Sequence, residues 1–184
     1  LRKYWPFFAA SMLEAIATLP TRQKAKSASV SAMPSPPAAL NVIRTIRKNA
    51  NVCIFAEGNR SYNGVTGPIF PATGKLAKAT GASLVTYRFE GGYLTTPRWS
   101  HTTRKGRMRG YVVNVYSPEQ LKNMTPEEVN DRIREDIMED AFDRQLTMQY
   151  RYKGKDLAKG LENALYFCPQ CGRTGTLKSE GNVF

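Results

Sequence analysis

Three observations on this 184-residue chain predict an α/β fold, a partly parallel sheet with flanking helices. Strand-like and helix-like segments alternate in the order helix, strand, helix, strand, strand, helix. The run Val52-Cys53-Ile54-Phe55 is short and continuously apolar, which is the pattern of a buried strand. Hydrophobic residues make up 41% of the chain, enough to bury a core and to exclude wholesale disorder or a collagen-like repeat.

The elements follow in order. An apolar stretch over residues 7–19 is interrupted by Glu14 and bracketed by Pro6 and Pro20. As a helix it would measure roughly 20 Å, short of the ~30 Å hydrocarbon core of a bilayer. It reads either as a buried core helix or as an amphipathic segment lying on a membrane. In the second case Arg2, Lys3, Arg22, Lys24 and Lys26 meet anionic headgroups at its ends. Residues 20–37 are rich in serine and proline and read as a loop or link. A helix is expected from about Pro37, with Ala39, Leu40, Ile43 and Ile46 at helical spacing and Asn49 as its stop. The strand over residues 52–55 comes next, then a glycine-bearing loop over 57–70. A second helix fits residues 71–80, closed by Gly81. Strands are expected over 83–89 and 111–116, separated by a long polar loop over 90–108. Thr125-Pro126-Glu127-Glu128 is a capping box that opens a last helix, whose apolar stripe is Val129, Ile133, Ile137 and Ala141. Residues 1–36 thus form an N-terminal helix and linker, 37–150 the main domain, and 151–184 a C-terminal tail.

Lys and Arg total 27 against 15 Asp and Glu, a formal charge of +12. Such an excess calls for an acidic partner: a phosphorylated substrate, an anionic membrane surface or nucleic acid. Three cysteines are too few for a disulfide framework and fit a reducing compartment.

Chemistry concentrates in Phe55-Ala56-Glu57-Gly58-Asn59-Arg60-Ser61, at the end of the strand expected over residues 52–55. Gly58 permits a sharp turn or the close approach of a ligand. Arg60 offers a planar fork suited to phosphate, and Ser61 adds a hydroxyl. Glu57 could hydrogen-bond a polyol or hold Arg60 in place. The bland alternative is a surface turn with a local ion pair.

This block resembles the Phe-Pro-Glu-Gly-Thr-Arg-Ser block of the phospholipid/glycerol acyltransferases, the 1-acylglycerol-3-phosphate acyltransferase family. The likeness runs on through the stretch from Gly74 to Ala82, the strand Ser83-Leu84-Val85-Thr86-Tyr87-Arg88, and Gly91-Gly92-Tyr93 with Pro97-Arg98-Trp99, covering roughly residues 38–145. The resemblance implies transfer of a fatty acyl group from acyl-CoA or acyl-carrier protein to the hydroxyl of a lysophospholipid. No catalytic cofactor is implied, and the location implied is the cytoplasmic face of a membrane. Glu57, Gly58, Asn59, Arg60 and Ser61 are the substrate-binding residues it implies. Ala56 and Asn59 depart from the family's Pro and Thr, and Thr86 and Arg88 stand where its fourth block has prolines. The family's arginine-bearing second block is not found, Arg22 being a weak candidate. No catalytic residue is assigned in this chain. The family's general base lies in a His-x-x-x-x-Asp pair, whereas the single His101 is followed five residues on by Gly106. The expectation is that the chain begins just past that pair. His101 reads as a solvated loop residue.

Cys168-Pro169-Gln170-Cys171-Gly172 is half of a zinc ribbon, a knuckle that aims two thiolates at one metal. No Cys or His follows Cys171, so the second pair is expected beyond this chain, where a structural zinc would complete the site. Cys53 reads as a small core hydrophobe.

Two other functions fit some of these features. One is a basic zinc-ribbon module that binds nucleic acid through Arg98, Arg104, Lys105, Arg107 and Arg109, with Trp99 and Tyr111 for stacking. The other is a catalytically dead acyltransferase-like scaffold. The acyltransferase reading, which involves no nucleic acid, accounts for the ordered blocks that the nucleic-acid module leaves unexplained, and the presence or absence of His-x-x-x-x-Asp upstream separates it from the scaffold.

Overall fold

The computed structural model describes residues 27–30 and 36–184. The reading of residues 7–19 and of Arg22 lies outside them. The chain is mixed α/β, as expected. Its described strands form two separate two-stranded sheets instead of the single partly parallel sheet expected. β1 (Ser27–Val30) pairs in parallel with β2 (Asn51–Ile54), Ser27 opposite Asn51 and Val30 opposite Ile54. β1 lies inside the stretch read as a link. Its Ser-Ala-Ser-Val sequence has little strand signal, and only pairing with β2 defines it. α1 (Pro36–Arg47) joins the two strands, and its Val42 is buried. Among the described residues β2 has one neighbour; its side chains are mostly half-buried, and Phe55 just beyond it is 38% exposed. The fully buried strand expected from its apolar run is therefore corrected.

The chain divides into two compact units. The first comprises residues up to 59, 66–88 and 110–138. Here α2 (Ala72–Thr80) ends at Gly81, whose φ of 64° closes the helix as its sequence predicts. β3 (Leu84–Glu90) and β4 (Arg109–Tyr116) form the antiparallel sheet. The core is Leu121, Val129 and Ile133, packed against Ile69, Ala77, Leu84, Tyr116 and Ile137 among others. Leu121 comes from α4 (Pro118–Asn123), a helix absent from the sequence reading although Ser117 and Gln120 cap it reciprocally. Val129 and Ile133 come from α5 (Pro126–Ile137), whose Thr125–Glu128 capping box is formed as expected.

Gly74 brings α2 against α5. A Cβ there would collide with the Pro126 carbonyl, and the Gly74 N–H donates to Asn130 Oδ1 at 2.8 Å. Two residues standing where the resembled family has prolines fasten α5 to the sheet. Thr86 is buried and donates to Asp136 Oδ2 at 2.8 Å, while Asp136 also accepts from Tyr116 at 2.7 Å and Asn114 at 2.6 Å. Arg88 donates to the Asp136 and Glu135 carbonyls at 2.7 and 3.0 Å, satisfying the end of the helix.

The apolar stripe expected to run to Ala141 breaks after Ile137. Asp140 caps a new helix, α6 (Ala141–Met148), by accepting from the Phe142 and Asp143 N–H groups, so Ala141 belongs to the second unit. That unit comprises residues 60–65, 89–109 and 139–184. It contains the short helix α3 (Gly92–Thr95) within the expected polar loop. Residues 105 and 153 bridge antiparallel, which ties the C-terminal segment into this unit.

Candidate functional site

The loop after β2 is shaped by three interactions within the first unit. The Gly58 N–H donates to the Phe55 carbonyl at 2.9 Å, closing a tight turn. Gly58 has a φ of 72°, and a Cβ there would stand 2.6 Å from the Phe70 ring, so glycine is required twice over. Glu57 Oε2 accepts from the Gly67 N–H at 2.7 Å and clamps the loop's two arms. Burial pushes the Glu57 carboxyl pKa up, and the Gly67 hydrogen bond partly opposes this. Glu57 thus has a structural task. Asn59 is exposed.

The boundary between the units falls after Asn59. In the second unit Ser61 Oγ accepts from the Gly64 N–H at 2.8 Å and is occupied in its own turn. Arg60 is exposed, and among the described residues its guanidinium spends one N–H on the Thr96 carbonyl, at 3.2 Å. A guanidinium has five N–H donors, so it keeps a fork for an anion. Arg98 donates to the Arg60 carbonyl at 3.4 Å and lies over the Tyr62 ring at 5.9 Å. Of the five residues singled out, Glu57, Gly58 and Ser61 build the loop, while Asn59 and Arg60 present themselves to solvent. Arg98 and Thr96 escaped the sequence reading of this site, because only the fold brings residues 36 to 38 positions away to Arg60.

His101 is exposed, as a solvated loop residue should be. Cys53 is half-buried, not a core residue, and burial pushes its thiol pKa up. The cysteine knuckle is a tight hairpin. Residues 167 and 174 bridge, the Cys168 N–H donates to the Arg173 carbonyl, and Gly172 and Gly175 take positive φ. The backbone N–H groups of Cys171 and Gln170 point at Cys168 and hold its thiol below the usual range, which favours the thiolate a metal needs. Among the described residues no group of three or more His, Cys, Asp or Glu side chains could hold a metal. Among the described residues, too, no helix is long and apolar enough to cross a membrane.

No family model matches the chain, and neither a curated protein nor a solved structure matches it significantly.

Proposed function

We propose that this chain is part of an acyltransferase that moves a fatty acyl group from a thioester carrier to the hydroxyl of a lysophospholipid or related glycerol phosphate. The observation that carries the reading is Arg60, which is exposed in the second unit and has donors to spare beyond its one bond to the Thr96 carbonyl. An exposed guanidinium tethered by a single N–H is suited to gripping a phosphate monoester. Peripheral association with an anionic membrane belongs to the same proposal. The +12 charge supports it, as does α6, whose Phe142 and Leu146 are 52% and 77% exposed one helical turn apart. In the full-length protein, Cys168 and Cys171 would supply half of a structural zinc ribbon, for which the knuckle's two backbone donors are the support.

The test is thiol release from acyl-coenzyme A with lysophosphatidic acid as acceptor. The 184-residue chain alone is expected to stay at background, because its one His lacks an Asp five residues on. A general base contributes typically ~10²–10⁴-fold. A longer chain that supplies His-x-x-x-x-Asp should turn over, and should prefer lysophosphatidic acid to unphosphorylated monoacylglycerol. Equal turnover of both acceptors, or none with the pair present, would contradict the proposal. Three arginines lie over aromatic rings in the second unit, Arg98 on Tyr62, Arg104 on Trp99 and Arg107 on Tyr150. Each pair occupies a ring face that a nucleic-acid base would need, which favours the lipid reading over the nucleic-acid one.

A further inference from the structure

Asn63-Gly64 is the chain's one Asn-Gly pair, and it lies within the second unit, in the turn that follows Arg60. Asn followed by Gly is the least hindered setting for attack of a backbone nitrogen on the Asn side chain, because glycine carries no Cβ. Three hydrogen bonds arrange the reacting atoms. The Gly64 N–H donates to Ser61 Oγ at 2.8 Å, and the Ser61 hydroxyl donates in turn to Asn63 Oδ1 at 3.3 Å. The Val65 N–H donates to the same Oδ1 at 3.3 Å. The nucleophile's proton thus faces a hydroxyl whose own proton faces the electrophile's oxygen. The surroundings hold this turn in place. The Gly64 carbonyl accepts from the Ala141 N–H at 2.9 Å, and residues 65 and 140 bridge. Gly64 has a φ of 85°, and a Cβ there would stand 2.8 Å from the Tyr93 ring and 3.1 Å from the Phe142 ring, so the fold keeps glycine at this position. Asn63 itself is exposed and open to water.

We propose that Asn63 is a site of spontaneous deamidation in the folded chain, with Ser61 as the proton relay. The Gly64 nitrogen attacks Asn63 Cγ and forms the N–C bond of a succinimide ring. Its proton passes to Ser61 Oγ while the Ser61 hydroxyl proton passes to Oδ1, so the serine ends as it began. The Val65 N–H stabilises the charge that gathers on Oδ1. The bond from Cγ to the side-chain amino group then breaks, the carbonyl re-forms, and that group leaves as ammonia with the proton from Oδ1. Water opens the succinimide at either carbonyl, giving aspartate or isoaspartate. Water is the only other reactant, and nothing is oxidised or reduced. The product carries a new carboxylate three residues past Arg60. Isoaspartate also lengthens the main chain beside the Gly64–Ala141 hydrogen bond, at the start of α6. The proposal stands on the turn alone and does not depend on acyl transfer.

Incubation of the chain in mildly alkaline buffer, followed by peptide mass mapping, tests it. The map reads the fraction of Asn63 converted to aspartate and isoaspartate. The same chain unfolded in guanidinium chloride supplies the intrinsic rate of the Asn-Gly pair. The folded chain is expected to convert about tenfold faster, which corresponds to ~1.4 kcal/mol of barrier. Ser61→Ala should slow the folded chain about tenfold, keep its circular dichroism and leave the unfolded rate unchanged. Ser61→Thr keeps the hydroxyl and should restore the folded rate. Aspartate and isoaspartate should both form, and in water enriched in heavy oxygen each should take up a single label. A folded chain that converts no faster than the unfolded one overturns the proposal. So does a folded Ser61→Ala variant that converts at the wild-type rate, or conversion to aspartate alone, which is direct hydrolysis of the amide. If Ser61→Ala does not fold, the Ser61→Thr rate and the comparison with the unfolded chain decide.

Discussion

Gly58 and Arg60 stand two residues apart and do different work. Gly58 holds the turn: its positive φ and the Phe70 ring 2.6 Å from a Cβ leave no room for a side chain. Gly58→Ala is expected to lower stability by about 1–3 kcal/mol, through αL strain and displacement of Phe70, and a chemical denaturation series checks it. A loss below a few tenths of a kcal/mol would mean that the loop relaxes freely. The sequence marked both residues because Gly58 permits a sharp turn and Arg60 offers a planar fork in a loop that leaves a strand. It left open whether Glu57 binds a ligand or shapes the loop. The answer is a backbone N–H ten residues on, at Gly67, and no local pattern encodes a pairing across a loop of that length.

At the scale of elements, the polar network under α5 is the feature that sequence reading could not supply. Thr86 and Arg88 registered only as departures from a proline-bearing strand. In the structure they meet Asp136 and the end of α5 about 50 residues away. Tyr116 belongs to the same network. Burial first, and then the hydrogen bond to Asp136, pushes its pKa up to about 12. A raised phenol pKa stabilises the fold in full below the ordinary value of about 10, and this contribution is lost as pH climbs from there to about 12. Thermal stability should therefore fall over that window. Tyr116→Phe should flatten the fall and cost about 1.5–3 kcal/mol at neutral pH, the usual worth of a hydrogen bond to a charged group. An unchanged alkaline profile in the variant would assign the fall to other groups. The capped ends of α2 and α5 were legible because their signals are local: a glycine at one, a Thr-x-x-Glu box at the other. The break after Ile137 was missed because Ala141 keeps the helical spacing, and only the Asp140 cap reveals a new start.

For the whole molecule, charge and exposed apolar surface make a joint prediction. With a net charge of +12, the chain should co-sediment with vesicles rich in anionic lipid and much less with zwitterionic ones. Raising salt should weaken this binding without abolishing it, since insertion of Phe142 and Leu146 is not screened. Phe142→Ser with Leu146→Ser should remove the salt-resistant part. Binding that vanishes entirely at moderate salt, or that duplex DNA matches under the same titration, would point to a general polyanion surface. Composition announced the charge, but the two strand pairs and the two units could not be read from it. The signal for β1 resides in its pairing with β2, and the units interleave segments distant in sequence.

The central claim is that Arg60 grips the acceptor's phosphate, and steady-state kinetics of Arg60→Lys in a chain that supplies His-x-x-x-x-Asp test it most directly. Lysine keeps the charge but loses the planar fork. The account predicts a rise of about one to two powers of ten in KM for lysophosphatidic acid, matching the ~1.5–3 kcal/mol of a charged hydrogen bond, with KM for the acyl donor unchanged. An acceptor KM unchanged within about twofold would make Arg60 a loop residue tied to Thr96, and the phosphate site would have to be sought elsewhere.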